Sequence, residues 1–126
     1  MILLDFITRQ DDRHLSNIAV KISGKNETFY PLYDNGRSLF YEDTEEMVLQ
    51  AVSDPVNYST SFGYSGTYYD YITEISQDIC LDNLINLDIS KDEIADILKK
   101  SGFVGYRFYG ALEWIEKTIN IIKELK

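Results

Sequence analysis

The spacing of apolar positions changes along the chain, and each change predicts a different element. The opening stretch MILLDFIT has apolar residues at positions 2, 3, 6 and 7, which is a helical spacing. Two strand-like runs follow, IAVKI at 18–22 and TFYPL at 28–32, joined by the turn-rich stretch SGKNE. Pro31 should confine the second strand to a sheet edge or end it early, because proline has no N–H to donate. We therefore expect a first helix followed by a β-hairpin.

The pattern after the hairpin predicts helices. DTEE places Asp43 three residues before Glu46, the spacing of a capping box, so a helix should run to about Val52. Residues 53–66 contain proline and two glycines and show no apolar period, which is typical of a loop. A further helix is expected near 68–79.

A second capping box, SKDE at 90–93, predicts the next helix. Its apolar residues Ile94, Ile97 and Leu98 should share one face, and Gly102 should end it.

The last predicted helix, from about Tyr106 to Lys126, has the longest apolar stripe and should be the core helix, with Trp114 anchoring the fold beside it. The stripe recurs at alternating steps of four and three residues, at Phe108, Leu112, Ile115, Ile119 and Ile122. We find no internal repeat and no low-complexity linker, and the length suits one domain over 1–126. The expected fold class is mainly α with a small β-hairpin (α+β).

Composition narrows the function classes. The 126 residues contain 21 acidic and 12 basic side chains, which gives a net charge of -9 at pH 7. A general nucleic-acid binder needs clustered Lys and Arg, and so does a protein that binds anionic membranes, so we expect neither partner. No apolar run approaches the length of a membrane span, and MILLDF is too short for a signal peptide.

The single cysteine, Cys80, excludes an internal disulfide and favours a reducing, cytoplasmic setting. Its apolar neighbours Ile79 and Leu81 predict a buried structural thiol rather than a nucleophile.

The stretch DDRHLSNIAV, at 11–20, concentrates polar residues directly before a β-branched run that looks buried, at Ile18, Ala19 and Val20. Phosphoryl transfer from ATP needs a carboxylate to accept or orient a proton and hard oxygen ligands for Mg²⁺. Asp12 and Asn17 are five residues apart, and Asp34 follows the predicted hairpin. The hairpin should fold the second acid back beside the first loop, so that the three side chains can converge.

Residues 5–40 resemble the catalytic segment of the HipA-like serine/threonine kinases, a toxin-associated bacterial family with the protein-kinase fold. The matching motifs are Asp12-Arg13-His14-Leu15-Ser16-Asn17 and Pro31-Leu32-Tyr33-Asp34. The resemblance implies that Asp12 is the catalytic base and that Asn17 and Asp34 ligate Mg²⁺, with His14 supporting the loop. The predicted helical remainder is similar, less specifically, to the C-terminal lobe of that fold.

Each candidate also has a structural interpretation. Asp12 can cap a turn, which would leave Asp11 as the functional acid. His14 can serve as a hydrogen-bonding residue of the loop, and Asn17 can satisfy loop backbone. Asp34 begins the sequence DNG, which is a good turn on its own.

A tyrosine-rich segment leaves two interpretations open. It can form a substrate-facing surface, or its rings can cover the core beneath a long loop. Its aromatic residues are Tyr58, Phe62, Tyr64, Tyr68, Tyr69 and Tyr71.

The chain has no glycine-rich phosphate loop of the GxGxxG kind. The resemblance therefore covers the catalytic-loop part of a kinase, and we expect the lone chain to be inactive, with ATP and Mg²⁺ engaged only beside an upstream nucleotide-binding lobe. It also implies a protein substrate and a helix-turn-helix antitoxin as a partner. Two alternatives are a non-catalytic remnant that acts as a protein-interaction module and an unrelated acidic helical domain.

Overall fold

The chain folds into helices and one β-hairpin over the residues that the computed structural model describes, which are 1–31, 33, 35–61, 66–83 and 86–125, with Leu15 described by its backbone alone. Short 3-10 turns interrupt the connections. The predicted class, mainly α with a small hairpin, is confirmed. The elements are α1 (Ile2–Ile7), β1 (Val20–Ser23), β2 (Asn26–Phe29), α2 (Glu45–Ser53), α3 (Tyr68–Asp78), α4 (Lys91–Lys100) and α5 (Gly105–Glu124).

Helix α5 is the central element of the core, as the sequence predicts, and it packs against α1, α2 and α4. Trp114, which is buried, donates its indole N–H to the backbone oxygen of Phe6 at 2.9 Å and so ties α5 to α1. Gly110 lets α2 approach closely, because a Cβ at this position would overlap Val48. The buried face of α5 consists of Phe108, Gly110, Ala111, Trp114, Thr118, Ile119 and Ile122.

The predicted apolar stripe of α5 is only partly correct. Phe108, Ile119 and Ile122 are buried, whereas Leu112 and Ile115 are half-buried at the edge of the core. The buried face is centred on Trp114 and on small residues, such as Gly110 and Ala111, that let neighbouring helices approach. The sequence pattern of large apolar residues does not include these small residues.

Side-chain caps begin three of the described helices. Ser90 and Glu93 form the predicted capping box at α4. Thr67 and Asp70 form another at α3, which the sequence analysis did not anticipate. At α2 the predicted cap is wrong: Thr44 is the N-cap, because Asp43 is paired with Arg9.

The α4 face is also narrower than predicted. Ile94 and Leu98 are buried against the core, but Ile97 is 54% exposed, so it belongs to the solvent side. Gly102 follows the end of the helix with φ +84, a conformation that favours glycine, and so it ends α4 as expected.

Strands β1 and β2 pair antiparallel, with Val20 opposite Phe29 and Ser23 opposite Asn26. Gly24 in the connecting turn has φ +64, and β2 ends before Pro31, as predicted. Every strand residue is exposed, so the expectation that Val20 is buried is wrong. Described elements provide no second layer over the apolar side of this hairpin.

Two expectations about the environment of the chain can be compared with the structure. Cys80 is exposed, not buried, because it follows the end of α3 in a connection at the surface. Within the described ranges, none of the helices combines the length and the apolar character that crossing a lipid bilayer requires.

Candidate functional site

Two loops meet beside the C-terminal end of α1. The first loop, residues 10–17, connects α1 to β1, and the second loop, residues 33–37, follows β2. The hydroxyl of Tyr33 donates to the backbone oxygen of Ser16 at 2.8 Å, and the backbone N–H of Asp11 donates to the oxygen of Arg37 at 3.3 Å. The hairpin thus returns the chain to the first loop, as the sequence predicts for this segment.

Asn17 closes the first loop on itself. Its side chain is almost fully buried; Oδ1 accepts from the backbone N–H of His14 at 3.1 Å, and Nδ2 donates to the backbone oxygen of Asp12 at 2.8 Å. Asn17 therefore satisfies loop backbone, as its structural interpretation predicts. An amide oxygen can accept two hydrogen bonds, so one lone pair of Oδ1 is left that could bind a metal ion.

Arg13 is the residue that joins the two loops, and the sequence analysis did not single it out. Its guanidinium is fully buried and forms a two-pronged ion pair with Asp5 of α1, with both N–O distances 2.9 Å. It also donates to Asn35 Oδ1 at 2.7 Å and to the backbone oxygen of Tyr33 at 3.0 Å. A longer bond of 3.5 Å reaches the oxygen of Asn17.

Asp11 and Asp12 differ in their surroundings, which bears on the choice between them as functional acid. Asp11 lies 3.5 Å from Arg37 in an ion pair. Burial raises the pKa of Asp11, and the guanidinium of Arg37 opposes that rise. Asp12 is held by its backbone, with its N–H bonded to Gln10 Oε1 at 3.0 Å, and no described residue forms a hydrogen bond with its carboxylate. Of the two carboxylates, that of Asp11 is paired with Arg37, and that of Asp12 has no hydrogen-bond partner among the described residues.

The remaining predicted site residues are placed less fully. The side chain of His14 is exposed, and its backbone N–H and oxygen both bond to Asn17. Asp34 lies outside the described residues, although its neighbours Tyr33 and Asn35 both contact Arg13. The convergence of the side chains of Asp12, Asn17 and Asp34 therefore stays a prediction.

The predicted Mg²⁺ ligands are Asn17 and Asp34, and of these two the structure describes Asn17. Its side chain supplies an amide oxygen, one of the oxygen ligand types that Mg²⁺ accepts. Within the described ranges, no three His, Cys, Asp or Glu side chains cluster closely enough to hold a metal. Further ligands would have to come from Asp34 or from substrate phosphates.

The loops are anchored at backbone positions of unusual geometry. Arg9, directly before the first loop, has φ +45, and Leu39 and Phe40, just after the second loop, have φ +50 and +63. The N–H of Leu39 donates to the oxygen of Thr8 at 2.9 Å, which pins the two anchors together. Non-glycine residues in this region are strained and persist where the surrounding structure holds them.

The Arg9 side chain provides part of that support. Its guanidinium lies 4.6 Å from the Phe40 ring centroid and 5.6 Å from that of Trp114, and it pairs with Asp43 at 2.8 Å. These contacts link the loop anchors to α5 and to the start of α2.

The tyrosine-rich segment covers the core, as one of the two interpretations predicts, and it also contacts the site. Tyr68 is buried, stacks on Phe6 and donates its hydroxyl to the oxygen of Gln10 at 3.4 Å. Burial raises the pKa of Tyr68, so its hydroxyl stays protonated and able to donate. Ser61 donates to the oxygen of Arg13 at 2.9 Å. Phe62 and Tyr64 lie outside the described residues.

One sequence signal could have revealed the buried ion pair. Asp5 interrupts the apolar run of α1 on the side that also carries Phe6, and a charge at a core position needs a partner. That argument predicts a buried cation, but it does not select Arg13 among the basic residues of the chain.

Comparison of the chain with protein-family models, with curated proteins and with solved structures found no match. The kinase interpretation thus depends on the motifs of 5–40 and on the geometry of the two loops.

Proposed function

We propose that this chain is the C-terminal catalytic-lobe portion of a HipA-like serine/threonine protein kinase of the toxin–antitoxin type. It performs ATP- and Mg²⁺-dependent phosphoryl transfer to a protein substrate in the cytoplasm once a nucleotide-binding lobe completes the site. The observation that carries the proposal is the meeting of the two loops: Asn17 binds the backbone of Asp12, while the hairpin returns the chain at Tyr33 to Ser16.

The roles of the residues follow from the chemistry of the reaction. Asp12, whose carboxylate meets no described donor, accepts the proton of the substrate hydroxyl as that hydroxyl attacks the terminal phosphate. Asn17 and Asp34 are the proposed Mg²⁺ ligands, and the ion neutralises charge on the phosphate oxygens. His14, which the resemblance assigns a supporting role, contributes through its backbone bonds to Asn17.

The lone chain should bind Mg²⁺ weakly. Mg²⁺ sheds water reluctantly and usually completes its coordination with substrate phosphates. No glycine-rich phosphate loop is present in these 126 residues, so ATP has to be held by a separate lobe, on the same polypeptide or on another chain.

The test is phosphoryl transfer from radiolabelled ATP by the chain combined with a separately expressed nucleotide-binding lobe. We expect Asp12→Asn to lower the rate by about 10²–10⁴-fold while ATP binding is retained, because a positioned base acts in the transfer step. Asp11→Asn is the matched control, an adjacent acid already paired with Arg37, and it should keep most of the rate. Loss in Asp11→Asn alone would make Asp11 the base, and loss in neither would reject the kinase proposal.

A second candidate function is a non-catalytic protein-interaction module, for example one that binds a helix-turn-helix antitoxin. One observation favours it: Val20, Ile22 and Phe29 share the same face of the hairpin and are 53%, 71% and 74% exposed. A partner that covers this face would remove apolar surface from water. Binding of such a partner by Asp12→Asn with unchanged affinity, together with absent phosphoryl transfer in the parent, would favour this function.

A further inference from the structure

We propose that Arg13 is a positioning residue of the phosphoryl-transfer site, and that Asp5 fixes the direction in which its guanidinium points. This inference rests on the proposed function for its catalytic consequence, but its structural part stands on the contacts alone. Arg13 would set the spacing between the first loop, which carries Asp12 and Asn17, and the second loop, which carries Asp34.

The guanidinium occupies a position from which it reaches both loops at once. Two of its nitrogens are used by the carboxylate of Asp5, and the remaining N–H groups point at Tyr33, Asn35 and Asn17. Tyr33 and Asn35 are the residues on either side of Asp34. A single side chain therefore bonds to the residues on both sides of one proposed metal ligand, and to the backbone oxygen of the other, Asn17.

Asp5 makes this arrangement directional. It belongs to α1, where Leu3, Phe6 and Ile7 are buried beside it, so its carboxylate is held by a packed helix. A two-pronged bond between a carboxylate and a guanidinium lies in one plane and fixes the rotation of the fork. The donors aimed at the second loop are then oriented by α1 rather than by the loops themselves.

The chemistry of Arg13 is not replaceable by charge alone. A guanidinium presents five N–H donors in a rigid plane, whereas a lysine ammonium presents three from one point on a flexible stem. Arg13→Lys can keep an ion pair with Asp5, but it cannot bridge Asp5, Tyr33 and Asn35 together. This variant separates positioning from charge compensation.

Hydrogen exchange gives a test that needs no activity. The amide of Asp11 is bonded across the loops to Arg37, and the amides of α5 report global stability. In Arg13→Lys we expect hydrogen exchange of the Asp11 amide to accelerate more than exchange of the α5 amides does, by a further factor of roughly ten or more. That factor is the scale of a lost hydrogen bond to a charged group. Val52→Ala, a core change in α2, is the control and should accelerate Asp11 only in step with α5.

Asn35→Ala is the second variant, because it removes an exposed acceptor and leaves the buried pair of Arg13 with Asp5 intact, so folding is retained. It should produce the same selective acceleration at Asp11, smaller in size. Acceleration that matches α5 in both variants would show that Arg13 stabilises the fold without positioning the loops.

The catalytic arm is measured on the same chain combined with its nucleotide-binding lobe. Arg13→Lys should raise the Mg²⁺ concentration for half-maximal rate by roughly fivefold or more, as loss of an oriented metal-site support does, with ATP affinity unchanged. Val52→Ala should leave that concentration unchanged. An unchanged Mg²⁺ requirement in Arg13→Lys would overturn the catalytic role. If the parent shows no phosphoryl transfer, the proposed function fails, and the exchange result still decides whether Arg13 joins the loops.

Discussion

The first loop and the hairpin that follows it are neighbours in sequence and opposites in burial. In the loop, Gln10, Arg13 and Asn17 are polar and have at most 1% of their surface exposed. In the hairpin, Ile22 and Phe29 are apolar and are 71% and 74% exposed. Polarity alone would have assigned the loop to the surface and the hairpin to the core.

The difference teaches that burial follows from available partners. The buried polar side chains of the loop have hydrogen-bond partners. Asn17 bonds to two backbone groups, and the charge of Arg13 is paired with that of Asp5. Burial of a charge without a partner would be strongly unfavourable. The hairpin side chains need an apolar layer to cover them, and the described elements form that layer around α5 instead.

The largest effect is expected from breaking the buried pair. Asp5→Ala leaves the guanidinium of Arg13 buried without its carboxylate, and removing one partner of such a pair typically destabilises by about 3–5 kcal/mol. Urea denaturation measures the change. Glu116→Ala, which removes an exposed pair with Lys91, is the control and should change stability far less. Equal effects in the two variants would contradict the buried role of Asp5.

A pair of identical substitutions sharpens the comparison for apolar residues. Phe29→Ala should change the free energy of unfolding by no more than about 0.5 kcal/mol, because its ring is mostly in water already. Phe6→Ala is the matched change in the core, where the ring is fully buried, and should cost about 3–5 kcal/mol. A large loss in Phe29→Ala measured by thermal denaturation would mean that the hairpin face is covered in solution, for example by a second copy.

The smallest expected change in stability comes from an exposed charge at a helix start, which lies outside both the first loop and the hairpin. Hydrogen bonds from the backbone and hydroxyl of Ser90 hold the pKa of Glu93 below its ordinary value of 4.5. Because the folded state favours the ionised form, the stabilisation is present above that ordinary pKa and is lost as the pH falls through the lowered value. The parent should thus be slightly more stable than Glu93→Gln near neutral pH, and the difference should shrink as the pH falls below 4.5, the ordinary pKa of Glu93.

The measurement is denaturation of the parent and of Glu93→Gln from neutral pH to below pH 4.5. The contributions of acidic groups that both proteins share cancel in the difference between their stabilities. Asp11→Asn gives the opposite sign, because burial raises the pKa of Asp11 and charge there opposes folding. A Glu93→Gln difference that stays constant with pH would show that the capping bond does not depend on ionisation.

Much of the fold could be predicted because its determinants are local. The apolar period placed α1 and α5 within a few residues, the Ser90–Glu93 box started α4, and the turn-rich stretch SGKNE with Pro31 indicated the hairpin. One error occurred where a local signal competed with a distant one. Asp43 has the spacing of a cap, but Arg9, 34 residues away, recruits it into an ion pair.

The sequence proposed residues for the candidate site, and the structure showed the hydrogen bonds that connect the two loops. Asp12, Asn17 and the return of the hairpin follow from motif and spacing, so the sequence identified both loops. The bond of Asn17 to Asp12 is also local. Arg13 was overlooked because the residues that give it a role, Asp5 and Asn35, lie 8 and 22 positions away.

By itself, then, the sequence determined the order of the helices and the hairpin and their approximate positions, because these depend on residues a few positions apart. The tertiary structure alone decided which polar groups leave water. Arg13 is buried because α1 offers a carboxylate and the second loop offers carbonyl oxygens at the same point in space. Ile22 and Phe29 stay exposed because the apolar faces of α2 and α4 pack against α5 and not against the hairpin.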